Sequence, residues 1–121
     1  MPAYVKFQTP PELQEKILKA LEVSKSTGKV RIGTNETTKA IERSAAKFVV
    51  IAEDVQPEEV VMHLPLLCSE KKVPYAYVKS KADLGRAAGI NVSTAAVAVI
   101  NEGEAKQIIA EIVDMLKKIS K

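Results

Sequence analysis

The chain has 121 residues, 46% hydrophobic and 27% charged, with a formal net charge of +3, which suits one ordinary core, so residues 1–121 are expected to form a single domain. No apolar run approaches the ~20 residues that span a membrane, and the first residues lack a signal peptide's apolar centre, so a cytoplasmic protein without a membrane partner is expected. The single cysteine, Cys68, excludes an internal disulfide and a cysteine-rich metal cluster, and its neighbours Leu66 and Leu67 make it a buried, inert thiol.

Thr9-Pro10-Pro11-Glu12 reads as a helix start, with Thr9 as N-cap and Glu12 closing a capping box. Leu13, Ile17, Ala20 and Leu21 recur at helical spacing, and Gly28 is the expected stop. Lys29-Val30-Arg31-Ile32 alternates with period two, as a half-buried strand does. It runs directly into Gly33-Thr34-Asn35-Glu36-Thr37-Thr38-Lys39, which opens a second helix at Asn35. That helix carries Ala40, Ile41 and Ala45 inward and ends near Ala46 or Lys47.

Phe48-Val49-Val50-Ile51-Ala52 is a continuous apolar run, the pattern of a strand covered on both faces and the best candidate for a sheet centre. Glu53 to Glu59 form a turn and enter a helix with Pro57 near its first position. Met62, Leu66 and Leu67 are expected in the core, and Pro65 is expected to kink or divide the segment. Val73 to Val78 form a strand with Pro74 at its entrance. Ser80 and Asp83 cap a short helix that ends at Gly89. Ile90-Asn91-Val92-Ser93-Thr94 is a loop, and Ala95 to Ile100 form a strand whose alanines permit close packing. The last helix places Ile108, Ile109, Ile112, Val113, Leu116 and Ile119 on one side.

Alternating helices and strands give an α/β fold: a three-layer α-β-α sandwich with a central four-stranded mixed sheet and about five helices. Ligands bind such sheets at the turns leaving the carboxyl ends of parallel strands. If the strands before Gly33 and Lys79 were neighbours, their turns would meet. The charge pattern gives that meeting a meaning, because residues 29–47 carry +3 and residues 71–90 carry +4, while 48–70 carry −5. Two basic blocks brought together make the electrostatic footprint of a nucleic-acid binder; kept apart they are solvated faces.

Catalytic chemistry finds little support. Glu53, Asp54, Glu58 and Glu59 are acids at a helix start with no histidine companion, and His63 is the one histidine. It is expected at the surface or hydrogen-bonded in the core. Ser80 between Lys79 and Lys81 is explained by capping. No phosphate-binding glycine motif is present, so a small α/β nucleotide-binding protein or enzyme using the Gly33 turn is the alternative reading. No cofactor is expected.

The stretch at Gly33 is the informative one. Asn35, Glu36 and Lys39 put an amide, a carboxylate and an ammonium in one turn, beside the free N–H groups of a helix start. An N-cap, a dipole-complementing acid and a solvated lysine account for the same residues. The five aromatics, Tyr4, Phe7, Phe48, Tyr75 and Tyr77, lie in a tail or in core-like strands, so no base-stacking platform is expected. A carboxylate does not bind phosphate. Within a basic patch Glu36 makes sense as an acceptor for a base edge, and guanine outside a Watson–Crick pair offers the donors.

Gly33 through Lys39, His63-Leu64-Pro65-Leu66-Leu67-Cys68, Val73-Pro74-Tyr75, Tyr77-Val78-Lys79-Ser80-Lys81 and Leu84-Gly85-Arg86-Ala87 together resemble the kink-turn-binding ribosomal protein family, most nearly its archaeal branch, over essentially the whole chain. The resemblance implies a non-enzymatic protein that binds kink-turn and kink-loop RNA. It implies that Asn35, Glu36 and Lys39 read the guanines of tandem sheared G·A pairs, that Gly33 and Thr34 approach the backbone, and that Arg43 and Lys79 contact phosphates. Gln56, Val60 and Lys81 would hold a bulged nucleotide, and Ile90, Asn91 and Val92 would cover it. Asn91 stands where archaeal members commonly carry Glu, and Gln56 where some relatives carry an acid. The implied partners are structured RNAs (large-subunit rRNA, box C/D and H/ACA guide RNA, and ribonuclease P RNA), a guide-RNP scaffold protein and ribosomal proteins. The free protein is expected to be a monomer.

Overall fold

The computed structural model describes residues 2–119; Met1, Ser120 and Lys121, the ends of the expected 1–121 span, lie outside them. In chain order the elements are α1 (Pro11–Thr27), β1 (Lys29–Ile32), α2 (Thr34–Glu42), β2 (Phe48–Ala52), a 3-10 turn (Glu58–Val60), α3 (His63–Lys71), β3 (Tyr75–Val78), α4 (Lys81–Ala87), β4 (Ala96–Asn101), a second 3-10 turn (Gly103–Ala105) and α5 (Lys106–Ile119). The fold is the expected mixed α/β sandwich with four strands and five helices.

The sheet order is β1-β4-β2-β3. β4 runs antiparallel to both β1 and β2, and β2 runs parallel to β3. Hence β1, β2 and β3 all point the same way and their carboxyl ends share one end of the sheet. The apolar run of β2 is buried throughout and lies inside the sheet, as its pattern demands. The strands bearing the two basic turns, however, are the two edges. β4 and β2 intervene, so three inter-strand spacings, about 14 Å, separate them. The condition under which the Gly33 and Lys79 turns would meet, neighbouring strands, is therefore not fulfilled: the two turns flank the same end of the sheet.

One face of the sheet receives α2, packed on β4 and β1 and against α3; α1 packs with α4 and α5. Ala96 and Ala98 are fully buried on β4, and their small side chains let α2 lie close. In α5, Ile109, Ile112 and Leu116 are buried and Ile108 and Val113 partly so, whereas Ile119 is exposed, against expectation, because the helix outruns the core there.

Several local expectations change. Thr9 does not cap α1; Pro10 holds that position, with no side-chain cap. The Thr9 hydroxyl instead accepts from the Tyr77 backbone N–H at 3.4 Å, on the open edge of β3. Tyr4 is likewise no tail residue, being 1% exposed with its hydroxyl donated to the Ala52 carbonyl oxygen at 2.6 Å. Residues 4–9 thus cover the edge of β3, where unpaired backbone groups would otherwise face water or another chain. α2 begins one residue early, at Thr34, and stops at Glu42 because Ser44 takes a left-handed conformation, φ +57°. Met62 and Leu66 are exposed rather than in the core. Pro65 does not interrupt α3, since it sits in the first turn of the helix where no intrahelical N–H is required. Gly28 ends α1 without a left-handed turn; a Cβ there would strike the Asn101 carbonyl oxygen.

Candidate nucleic-acid interface

Gly33 joins β1 to α2 with φ +98°, a conformation costly for any residue bearing a Cβ, and the space around it is open. Its N–H donates to the Ala96 carbonyl oxygen at 2.9 Å, and its carbonyl accepts from the Thr37 N–H at 2.9 Å. The turn is thereby pinned to β4, and the Gly33 amide is already used within the protein. That removes the donor a nucleotide-binding glycine turn would offer first, and it weighs against the alternative reading of this segment.

Beyond the turn, α2 buries Thr37, Ala40 and Ile41 and exposes Asn35, Glu36 and Lys39. Thr34 is half-buried. The Glu36 carboxylate and Lys39 ammonium form an ion pair at 3.6 Å with both side chains about half exposed; such a pair contributes little to stability and opens readily to a ligand. Glu36, Lys39 and Arg43 line a single cleft of about 160 Å³, together with Arg31, Ala40, Ala45 and Ile100. Three cations and one carboxylate therefore share one concavity. The ion pairs among the described residues leave Arg31 and Arg43 unpaired. Arg31 did not figure among the sequence-derived site residues. The alternation in 29–32 was its signal, since it turns Lys29 and Arg31 away from the half-buried Val30 and Ile32.

A second group lies at the exits of β2 and β3. Lys81 donates its backbone N–H to Asp54 Oδ1 at 2.9 Å, which ties the start of α4 to the loop carrying Gln56 and Val60. Gln56 is exposed, Val60 is 40% exposed and Lys81 is half-buried. The expected cap is present as half a box: Ser80 Oγ accepts from the Asp83 N–H at 3.2 Å, while the Asp83 carboxylate pairs with Arg86 at 3.1 Å.

The third group is the loop before β4. Ile90, Asn91 and Val92 line a cleft of about 270 Å³ with Ala82, Arg86 and Ser93. Val92 is 68% exposed, a large apolar side chain held in water. The loop is fixed at both ends, by Ile90 N–H to the Gly85 carbonyl and Thr94 N–H to the Lys81 carbonyl. Gly85 is required here, because a Cβ would collide with the Val92 carbonyl oxygen.

Lys79 stands apart from Lys39 and Arg43. It is exposed on the β3 side, in a cleft with Gln8, Thr9, Gln14 and Glu53, and its N–H donates to Gln14 Oε1 at 3.0 Å. The basic blocks accordingly flank an acidic middle, Glu53 and Asp54 at the end of β2. Cys68 is buried as expected, its thiol pushed up to about 12 by burial. His63 is exposed and lies 2.8 Å from Thr38 Oγ1. Among the described residues no group of three His, Cys, Asp or Glu is placed to hold a metal ion, and no helix is long and apolar enough to cross a membrane.

Comparison with known proteins agrees with this architecture. Residues 15–109 match the model of the Ribosomal protein L7Ae/L30e/S12e/Gadd45 family. The structure is similar to that of a Giardia lamblia 15.5kD RNA binding protein, with a TM-score of 0.92, 32% sequence identity and 98% of each chain covered. The fold, the order of its elements and a family match over most of the chain lead to one conclusion: this chain belongs to the Ribosomal protein L7Ae/L30e/S12e/Gadd45 family.

Proposed function

We infer that this protein is a non-enzymatic RNA-binding protein that recognises kink-turn and kink-loop motifs. The observation that carries the reading is Glu36, a carboxylate in a cleft whose other charged lining residues are the cations Arg31, Lys39 and Arg43. Phosphate alone would be bound better without it. A base edge that donates hydrogen bonds needs such an acceptor, and a guanine in a sheared G·A pair, whose Watson–Crick edge is free, supplies the donors.

In this reading Asn35, Glu36 and Lys39 face the tandem G·A pairs and Arg43 the adjacent phosphates. Gly33 and Thr34 let the backbone come close. Gln56, Val60 and Lys81 hold the bulged nucleotide, beneath Ile90, Asn91 and Val92, whose apolar members suit both kink-turns and kink-loops. Lys79 contacts phosphate from the other side of the sheet's end. The protein acts as one RNA-binding unit across residues 1–121, monomeric when free and cytoplasmic, of the archaeal type. Its targets are large-subunit rRNA, box C/D and H/ACA guide RNAs and ribonuclease P RNA, where it joins a guide-RNP scaffold protein and ribosomal proteins. It works by binding the kinked conformer preferentially, which shifts the RNA population toward it.

The test is a titration of two duplexes carrying the same bulge, one with tandem G·A pairs beside it and one with Watson–Crick pairs in their place. Tighter binding of the G·A duplex is expected. Equal affinity for the two would refute the kink-turn reading and leave at most a nonspecific electrostatic binder.

A further inference from the structure

His63 is the first residue of α3, and nothing in the interface described above uses it. Its Nε2 lies 2.8 Å from the Thr38 hydroxyl of α2. That hydroxyl is also 2.8 Å from the Thr34 carbonyl oxygen, which can only accept. A hydroxyl has one proton to give. With that proton on Thr34, the oxygen can take part in the second bond only as acceptor, so His63 must be the donor. The geometry therefore fixes the imidazole as carrying its proton on Nε2.

The chain His63 to Thr38 to Thr34 links α3 to the helix that presents Asn35, Glu36 and Lys39. On its inner side α2 buries only Thr37, Ala40 and Ile41, and the strand it packs on presents the small side chains of Ala96 and Ala98. A roll of about 20° would move a side-chain tip, 5–6 Å from that axis, by about 2 Å. This is enough to take a carboxylate out of hydrogen-bonding range of a base edge.

We propose that His63 is a positioning residue for RNA recognition, which sets the roll of α2 through its Nε2–H bond to Thr38 and so aims Glu36 and Lys39. This rests on the RNA reading given above. His63 does not touch RNA; it acts through α2. Glutamine can place an Nε2 donor where the imidazole has one, whereas alanine cannot.

The experiment has two arms. In the free protein, 15N NMR of the imidazole at pH 8 is expected to show the proton on Nε2; a proton on Nδ1 would overturn the proposal, since the bond to Thr38 would then lack its donor. In the second arm the wild type, His63→Ala and His63→Gln are titrated with the G·A duplex and its Watson–Crick counterpart. His63→Ala is expected to weaken binding to the G·A duplex about fivefold, the size of one ordinary hydrogen bond, and to leave the counterpart unchanged. His63→Gln is expected to return within twofold of wild type, and Thr38→Val to add nothing to His63→Ala in the double variant. Equal losses on both duplexes, or no recovery with glutamine, would overturn the positioning role while leaving the RNA reading standing. A wild type that binds both duplexes equally would overturn the RNA reading and the positioning role with it.

Discussion

Tyr77 donates its buried hydroxyl to the Tyr4 carbonyl oxygen at 2.6 Å, and the same oxygen of Tyr77 accepts from the Lys6 N–H at 3.1 Å. One side chain on the edge strand β3 thus holds the N-terminal segment at two points, with Phe7 packed edge-on against its ring at 5.0 Å. Replacing Tyr77 by Phe keeps the ring but leaves a buried carbonyl and an amide without their partner. A loss of about 1–3 kcal/mol is expected in urea denaturation, with faster hydrogen exchange at Lys6 and unchanged exchange in β4.

The same burial sets an alkaline limit on stability. Desolvation raises the ionisation of Cys68 to about 12, and raises that of Tyr77 and Tyr4 above the ordinary tyrosine value. In the unfolded chain the thiol loses its proton near 8.5 and the phenols near 10. Above those values the folded state binds more protons than the unfolded one, so stability falls as pH rises. A urea midpoint that is level from pH 7 to about 8 and declines between pH 9 and 11 is expected. Cys68→Ala should flatten the part of that decline below pH 10.

Gly33 sits at φ +98° with open space where a Cβ would point. Its requirement is conformational and owes nothing to packing. Gly33→Ala is expected to cost about 1–3 kcal/mol of stability through backbone strain. Gly85 is the opposite case, since its backbone is unremarkable and the Val92 carbonyl occupies the space. Gly85→Ala should loosen residues 90–93, seen as raised hydrogen exchange at Ile90 and Thr94, whose amides anchor that loop.

What could be read from the sequence follows how local the cause was. The apolar run 48–52, the alternation in 29–32, the Ser80 cap and the α5 stripe as far as Leu116 all depend on neighbours in the chain, and each shows the burial or the cap expected of it. The cluster of Glu36, Lys39 and Arg43 was legible for the same reason, being spaced along one helix. Sheet order was not, because β4 enters between β1 and β2 by pairing across about 50–70 residues. The role of Thr9 was hidden likewise: its sequence context is that of a cap, but the Tyr77 amide that claims its hydroxyl lies 68 residues away. Ser44, left-handed without being glycine, gave no sign that α2 would end at Glu42. Met62 and Leu66 were misplaced because a nine-residue helix shows too few turns to reveal which side faces the core.

Glu36 and Lys79 should fail differently if their roles are those assigned. Glu36→Ala removes the acceptor for a base edge and is expected to cost about 1–3 kcal/mol on the G·A duplex and erode discrimination. Lys79→Ala removes a phosphate contact, so it should weaken all RNAs alike and lower the salt slope by about one. Fluorescence titrations across a range of salt concentrations separate the two. The opposite pattern would mean the roles are exchanged.

The central claim is that this protein selects a kinked RNA, and the most direct measurement is the distance between the ends of that RNA. A duplex with a bulge and tandem G·A pairs, labelled at both ends for energy transfer, is titrated with the protein in buffer free of divalent cations. A rise in transfer that saturates with binding, and that is absent when the G·A pairs are replaced by Watson–Crick pairs, is expected. Binding that saturates with no change in transfer on the G·A duplex, or an equal change on both, would contradict it.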